Sequence, residues 1–163
     1  KGVDSFIDLI SSLNNDKYHA LVVGPVASSK RQYFNKLQNK IKTLNIENKI
    51  TFTGSRNDIV NIYRLSDVVF NLSTKPEPFG RTTIEAISCG AKVVGWNHGG
   101  TKEILEKLYP DGLVELNKIE DLKNITEKVS DSSYPSPKNN TFTSEKMVKK
   151  TIDLYNQLLS TSS

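Results

Sequence analysis

Two carboxylates separated by seven residues mark the place where this sequence could do chemistry: Glu77 stands in PEPFG, residues 76–80, and Glu85 follows in RTTIEAIS. The prolines and glycine keep residues 76–80 out of a helix, whereas TTIEAIS forms one readily, so a helix is predicted to begin near Gly80 or Arg81. The free amides of its first turn then face back into the loop. A helix dipole and two or three such N–H groups suit a diphosphate, and a glycine lets the ligand come close. Glu85 lies one turn in, too far along to cap the helix, and a carboxylate there can accept both hydrogen bonds of a vicinal diol such as a ribose. Glu77 precedes the amides and would meet whatever lies beyond the phosphates. In a sugar nucleotide that is the sugar. Spacing alone leaves two other readings open. Glu77 could be a solvated loop acid and Glu85 a helix-surface acid stabilised by the dipole. A glycosidase pair is the other, although the only tryptophan is Trp96 and no aromatic sugar platform accompanies the acids.

The elements that must hold these residues are legible as apolar runs. ALVVG at 20–24, ITFTG at 50–54, VVFNL at 68–72, VVGW at 93–96 and LVEL at 113–116 read as strands, most of them continuous rather than alternating, as expected of strands covered on both faces. Helical periods lie between them. Val3, Phe6, Ile7, Ile10 and Leu13 form one stripe; Tyr33, Phe34, Leu37, Ile41 and Leu44 a second; Ile59, Ile62 and Tyr63 a short third. Ile84, Ile87 and Cys89 mark the helix that carries Glu85, and Ile119, Leu122, Ile125 and Val129 another. Residues 130–144, with two prolines, read as a surface connection without a core of its own, followed by an amphipathic helix over 145–160 whose apolar side carries Met147, Val148, Ile152, Tyr155, Leu158 and Leu159. The alternation predicts an α/β fold: a three-layer, Rossmann-like domain around a mostly parallel sheet. Ligands of such folds bind beyond the carboxyl ends of the strands. Those ends are Gly24-Pro25, Gly54-Ser55, Ser73-Thr74 and Asn97-His98-Gly99-Gly100, all rich in residues suited to a loop that a ligand approaches.

Composition narrows the partners. At 163 residues the chain fits one domain, and a chain of that size buries about 70% of its unfolded surface. Cys89 is the only cysteine, so there is no internal disulfide and no zinc-ligand cluster; a reducing, cytoplasmic setting and no metal are expected. No apolar run approaches the length of a membrane span, which limits membrane contact to a peripheral kind through the parent protein. The net charge of +4 comes from scattered lysines, without the aromatic interleaving of a nucleic-acid face. Phosphate esters suit it better. The chain starts at Lys1 rather than methionine and reads as a piece of something longer.

PEPFGRTTIEAISCGAKVVGWNHGGTKEIL, taken with LVVGP at 21–25, KITFTGSRNDIVNIYRLSDVVFNLST at 49–74 and FTSEKMVKKTIDLYNQLL at 142–159, resembles the donor-binding, C-terminal domain of retaining glycosyltransferases of family 4, which have the GT-B fold of two Rossmann-like domains. The ordered set covers nearly the whole chain, so residues 1–163 are expected to be one nucleotide-sugar-binding domain and half of a GT-B fold. The resemblance assigns the donor sugar to Glu77, the candidate catalytic residue, and the ribose to Glu85. It assigns the diphosphate and sugar to Lys1, in a Lys-Gly pair, and to the segment Phe79, Gly80, Arg81 and Thr82. Gly54, Arg56 and Asp58 fall where the family cradles the base, with Gly24 and His98 lining the pocket. His19, just before a strand, is expected to be structural.

The reaction implied is glycosyl transfer from a UDP-, GDP- or ADP-linked sugar to a hydroxyl with retention, without a metal or any cofactor beyond the donor, and cell-surface polysaccharide synthesis is its usual setting. Departing diphosphate would be stabilised by cationic and amide groups. The family's upstream Gly-Arg strand and its acceptor-binding N-terminal domain are missing from these residues. The fragment is therefore expected to bind without catalysing, and its sheet to close differently or to be completed from outside. A sugar-nucleotide epimerase half and a non-catalytic nucleotide-binding module stand as alternatives. No G-x-G-x-x-G or P-loop motif supports a dehydrogenase or a P-loop enzyme.

Overall fold

The computed structural model describes residues 1–13 and 17–161. Along the chain it contains α1 (Val3–Ser12), β1 (Ala20–Val23), α2 (Arg31–Thr43), β2 (Ile50–Gly54), α3 (Ile59–Leu65), β3 (Val68–Asn71), α4 (Arg81–Ser88), β4 (Lys92–Trp96), α5 (Gly99–Leu108), β5 (Leu113–Val114), α6 (Ile119–Ser130) and α7 (Ser144–Thr161). Every strand pairing is parallel. Each predicted strand forms, but among the described residues they make two sheets, β1–β2 and β3–β4–β5, rather than one open sheet. A run of apolar residues reports that a strand exists; which strands pair is decided by contacts far apart in sequence.

The triple sheet is the better covered. All five residues of β4 are buried, which requires material on both faces. Helices α4 and α5 connect consecutive parallel strands in the same direction, and right-handed crossovers put both on one face. Helix α6 contacts β3, β4 and β5 and packs against α1, covering the other. The core between these layers includes Ile7, Leu9, Val93, Val94, Leu105 and Leu122, all fully buried, and each such side chain stabilises the fold by roughly 1.5–3 kcal/mol. Trp96 is buried among them and donates its indole N–H to the Leu72 carbonyl at 3.0 Å. The β1–β2 pair is thinner: Leu21 is exposed, Leu37 and Ile41 of α2 are buried, and Phe34 of α2 meets Phe52 of β2 edge-on with centroids 5.0 Å apart. His19, expected to be structural, bonds Thr51 across this pair.

Three differences from the sequence reading bear on the site. Residues 97–100 are not a free rim loop: Gly99 and Gly100 open α5, a helix whose two leading glycines disguise it because glycine is a poor helix former. Second, the connection at 130–144 is anchored. Pro137 is buried, Asn139 Nδ2 donates to Ser88 Oγ and to the Phe142 carbonyl, and the Phe142 ring packs edge-on against Phe79 with Lys107 over it. Third, the apolar side of α7 is present as predicted, but Met147, Val148, Ile152, Tyr155, Leu158 and Leu159 are all at least half exposed.

Candidate functional site

The strand ends carry the site. Gly80, with φ 80°, caps α4 without a side chain, so the helix starts where the sequence places it and its first turn, Arg81 and Thr82, is exposed. The loop before it is pressed onto the start of α5. The Gly100 amide donates to the Glu77 carbonyl at 2.8 Å. A Cβ on Gly100 would lie 2.4 Å from the Phe79 carbonyl carbon, and one on Gly99 2.9 Å from the Glu77 nitrogen. These glycines admit the protein's own loop, where the sequence suggested room for a ligand. Phe79 keeps its ring half exposed against Phe142.

Glu77 is held from two sides. Lys1 Nζ forms an ion pair with Oε1, and Asn71 Nδ2 donates to Oε2 at 3.3 Å and to Thr83 Oγ1 at 3.1 Å. Burial pushes the Glu77 carboxyl up, but the hydrogen bonds from Lys1 and Asn71 outweigh it and leave the group below the ordinary carboxylate range. The Lys1-Gly2 pair has a steric basis. Gly2 sits at φ 78°, and a Cβ there would fall 1.8 Å from the Leu72 oxygen, the same carbonyl that Trp96 holds. Only glycine lets the chain pass so close and deliver Lys1 to Glu77.

Glu85 is exposed, 3.4 Å from both the Tyr63 hydroxyl and the Arg81 guanidinium. The Tyr63 phenol is pushed up to about 12, first by burial and then by the neighbouring Glu85 carboxylate. Gly24 and Gly54 are brought together at the ends of β1 and β2, where the Gly24 amide donates to the Gly54 carbonyl at 2.9 Å. Arg56 and Asp58 engage each other through two hydrogen bonds of 2.8 and 2.6 Å at the entry to α3, which raises the guanidinium's pKa and lowers the carboxyl's. His98 is the N-cap residue of α5, and its buried Nε2 has no hydrogen-bond partner.

The arrangement thus joins Lys1, Glu77 and the start of α4 in one cluster, links Glu85 to α3, and gathers the two glycines at the β1–β2 end. Asn71 and Tyr63 touch these acids, Thr83 braces Asn71, and none of the three is among the predicted site residues. An asparagine closing the otherwise apolar VVFN strand was the available signal for the first of them. Among the described residues no group of three or more His, Cys, Asp or Glu side chains could hold a metal, and no helix is long and apolar enough to cross a membrane.

This Rossmann-like α/β domain has the fold of one half of a GT-B glycosyltransferase. The chain belongs to the family described as glycosyl transferases group 1, which matches residues 1–151. It is 37% identical over 107 residues to mannosylfructose-phosphate synthase of Agrobacterium fabrum, covering 61% of this chain and 23% of that protein. With N-acetyl-alpha-D-glucosaminyl L-malate synthase of Bacillus anthracis it shares 29% over 133 residues, 73% of this chain and 33% of the relative. The solved structure of Anabaena Alr3699/HepE in complex with UDP and glucose superposes with a TM-score of 0.76 at 32% identity, over 82% of this chain and 36% of that one. The chain thus spans a third or less of the curated relatives' length. Family membership sets aside the epimerase and glycosidase readings.

Proposed function

We propose that this chain is the donor-binding part of a retaining glycosyltransferase that moves a glycosyl group from a nucleoside-diphosphate sugar to a hydroxyl acceptor. The observation that carries the reading is the clustering of Lys1, Glu77 and the side-chain-free start of α4 at the strand ends. The likeness of the chain to Anabaena Alr3699/HepE, solved with UDP, with UDP and glucose, and with UDP-glucose, supports a uridine nucleotide as the first donor to test. Under this reading the sugar meets Glu77, and the diphosphate lies between the Lys1 ammonium and the amides of Phe79, Gly80, Arg81 and Thr82. The ribose hydroxyls donate to Glu85, and the base lies toward Gly54, Arg56 and Asp58, with Gly24 and His98 on the pocket wall.

Charge develops on the diphosphate as the glycosidic bond breaks. An ammonium and a helix dipole placed there lower the barrier without a metal or an added cofactor. The acceptor would be supplied by another part of the parent enzyme, so this chain binds the donor and turns nothing over by itself. Its single Cys89 supports a reducing compartment such as the cytoplasm.

Calorimetry with UDP, UDP-glucose and the GDP- and ADP-sugars tests the reading. At least one should bind, and Glu85→Ala should weaken it roughly tenfold or more, the worth of one or two hydrogen bonds to a charged acceptor. Undiminished binding by Glu85→Ala would remove the ribose from that residue.

A further inference from the structure

We propose that Asn71 is the positioning residue for Glu77: a buried carboxamide strut, braced on Thr83, that fixes the carboxylate in the orientation that meets the donor sugar. The proposal rests on the reading of Glu77 given above.

The two groups that hold Glu77 differ in kind. Lys1 is an exposed ammonium on a flexible stem, its side chain 82% exposed, and a bound diphosphate would compete for it. Asn71 is the last residue of β3, buried, and locked in register opposite Gly95 of β4. A carboxamide carries two N–H bonds fixed in one plane. Here its nitrogen donates to two partners, Glu77 Oε2 and Thr83 Oγ1.

Burying an amide costs free energy unless its hydrogen bonds are made, so the side chain is stable in this position only while both partners stay in place. Thr83 is itself fully buried in the opening turn and a half of α4. The strut therefore ties the Glu77 carboxylate to the helix whose start faces the diphosphate. It sets the distance between the sugar contact and the phosphate contact independently of Lys1. When the ammonium turns toward phosphate, the orientation of Glu77 persists.

The test reads Glu77 directly, by following its carboxylate carbon through a pH titration in the ligand-free chain, and reads its consequence by calorimetry with UDP and UDP-glucose. Asn71→Leu removes the donor at similar volume, and Asn71→Asp keeps the shape but replaces the donor by a carboxylate. Both should move the Glu77 titration to higher pH, the aspartate variant further. A lost hydrogen bond to a charged group corresponds to about a tenfold loss for UDP-glucose, with UDP changed less than about twofold because it lacks the sugar that Glu77 meets.

Thr83→Val removes the brace without touching Glu77 and should give a smaller shift in the same direction, so a folding failure of either Asn71 variant leaves the strut testable. An unmoved titration in Thr83→Val and in a folded Asn71 variant would overturn the proposal, as would equal weakening of UDP and UDP-glucose. Glu77→Ala separates it from the underlying reading. If that variant loses UDP-glucose affinity and Asn71→Leu does not, only the positioning role fails; if Glu77→Ala loses none, the assignment of the sugar to Glu77 fails with it.

Discussion

The loop that carries Glu77 and the helix face that carries Glu85 are neighbours in sequence but opposites in mechanics. Around Glu77 the main chain is pressed onto Gly99 and Gly100, the neighbouring Phe79 ring packs on Phe142, and the carboxylate has a cation on one oxygen and an amide on the other. Around Glu85 the helix is open to solvent and the carboxylate has two contacts of 3.4 Å, both at the long end for hydrogen bonds. One acid is preset and the other is free to adjust. Under the proposed reading, in which the site fixes the reacting sugar and accepts a nucleoside, that division is a gain, because preorganisation matters most where charge develops.

The largest effect should come from breaking the wedge. In Gly100→Ala the new methyl has no room beside the Phe79 carbonyl, and a backbone clash in a packed interior should cost about 3 kcal/mol, read as a fall of roughly 10 °C in the melting temperature of a domain this size. A loss under half of that would mean the loop yields easily and the contrast with Glu85 is weaker than drawn.

Acid should release the Glu77 side by a smaller amount. The folded pKa of this carboxyl is depressed. Its stabilising contribution is therefore complete above the ordinary glutamate value of about 4.3 and fades as the pH falls through the lower folded one. The stability gap between the wild-type chain and Glu77→Gln, no more than about 1 kcal/mol for a pair with so exposed a lysine, should close in urea titrations as the pH is brought from 7 to 3.

The smallest effect belongs to Tyr63. Tyr63→Phe should leave stability within about 0.5 kcal/mol, while Glu85→Gln should lower the Tyr63 titration seen by NMR and still leave it above an ordinary tyrosine, because burial is the larger cause. A tyrosine returned fully to its ordinary range would show that Glu85 is held as tightly as Glu77.

What was legible in the sequence follows the range of the interactions involved. Strand positions, the start of α4 and the resemblance to a GT-B glycosyltransferase domain are local or ordered signals, and all three agree with the structure and the comparisons. The division of the strands into two sheets, the packing of Gly99 and Gly100 against Glu77 and Phe79, and the return of Phe142 to Phe79 depend on residues far apart in sequence. Nothing in Gly-Gly distinguishes a loop that awaits a ligand from a helix start that receives another loop. In the sequence Asn71 is one more strand residue, since its amide acquires meaning only when Thr83 and Glu77 are placed around it.

Trp96 gives the site a built-in optical gauge. It is the sole tryptophan in the chain, buried, and its indole N–H is bound to the carbonyl against which Gly2 rests. Fluorescence excited at the indole edge comes from this one ring, so a shift in its emission reports on the seat that presents Lys1, without any label being attached.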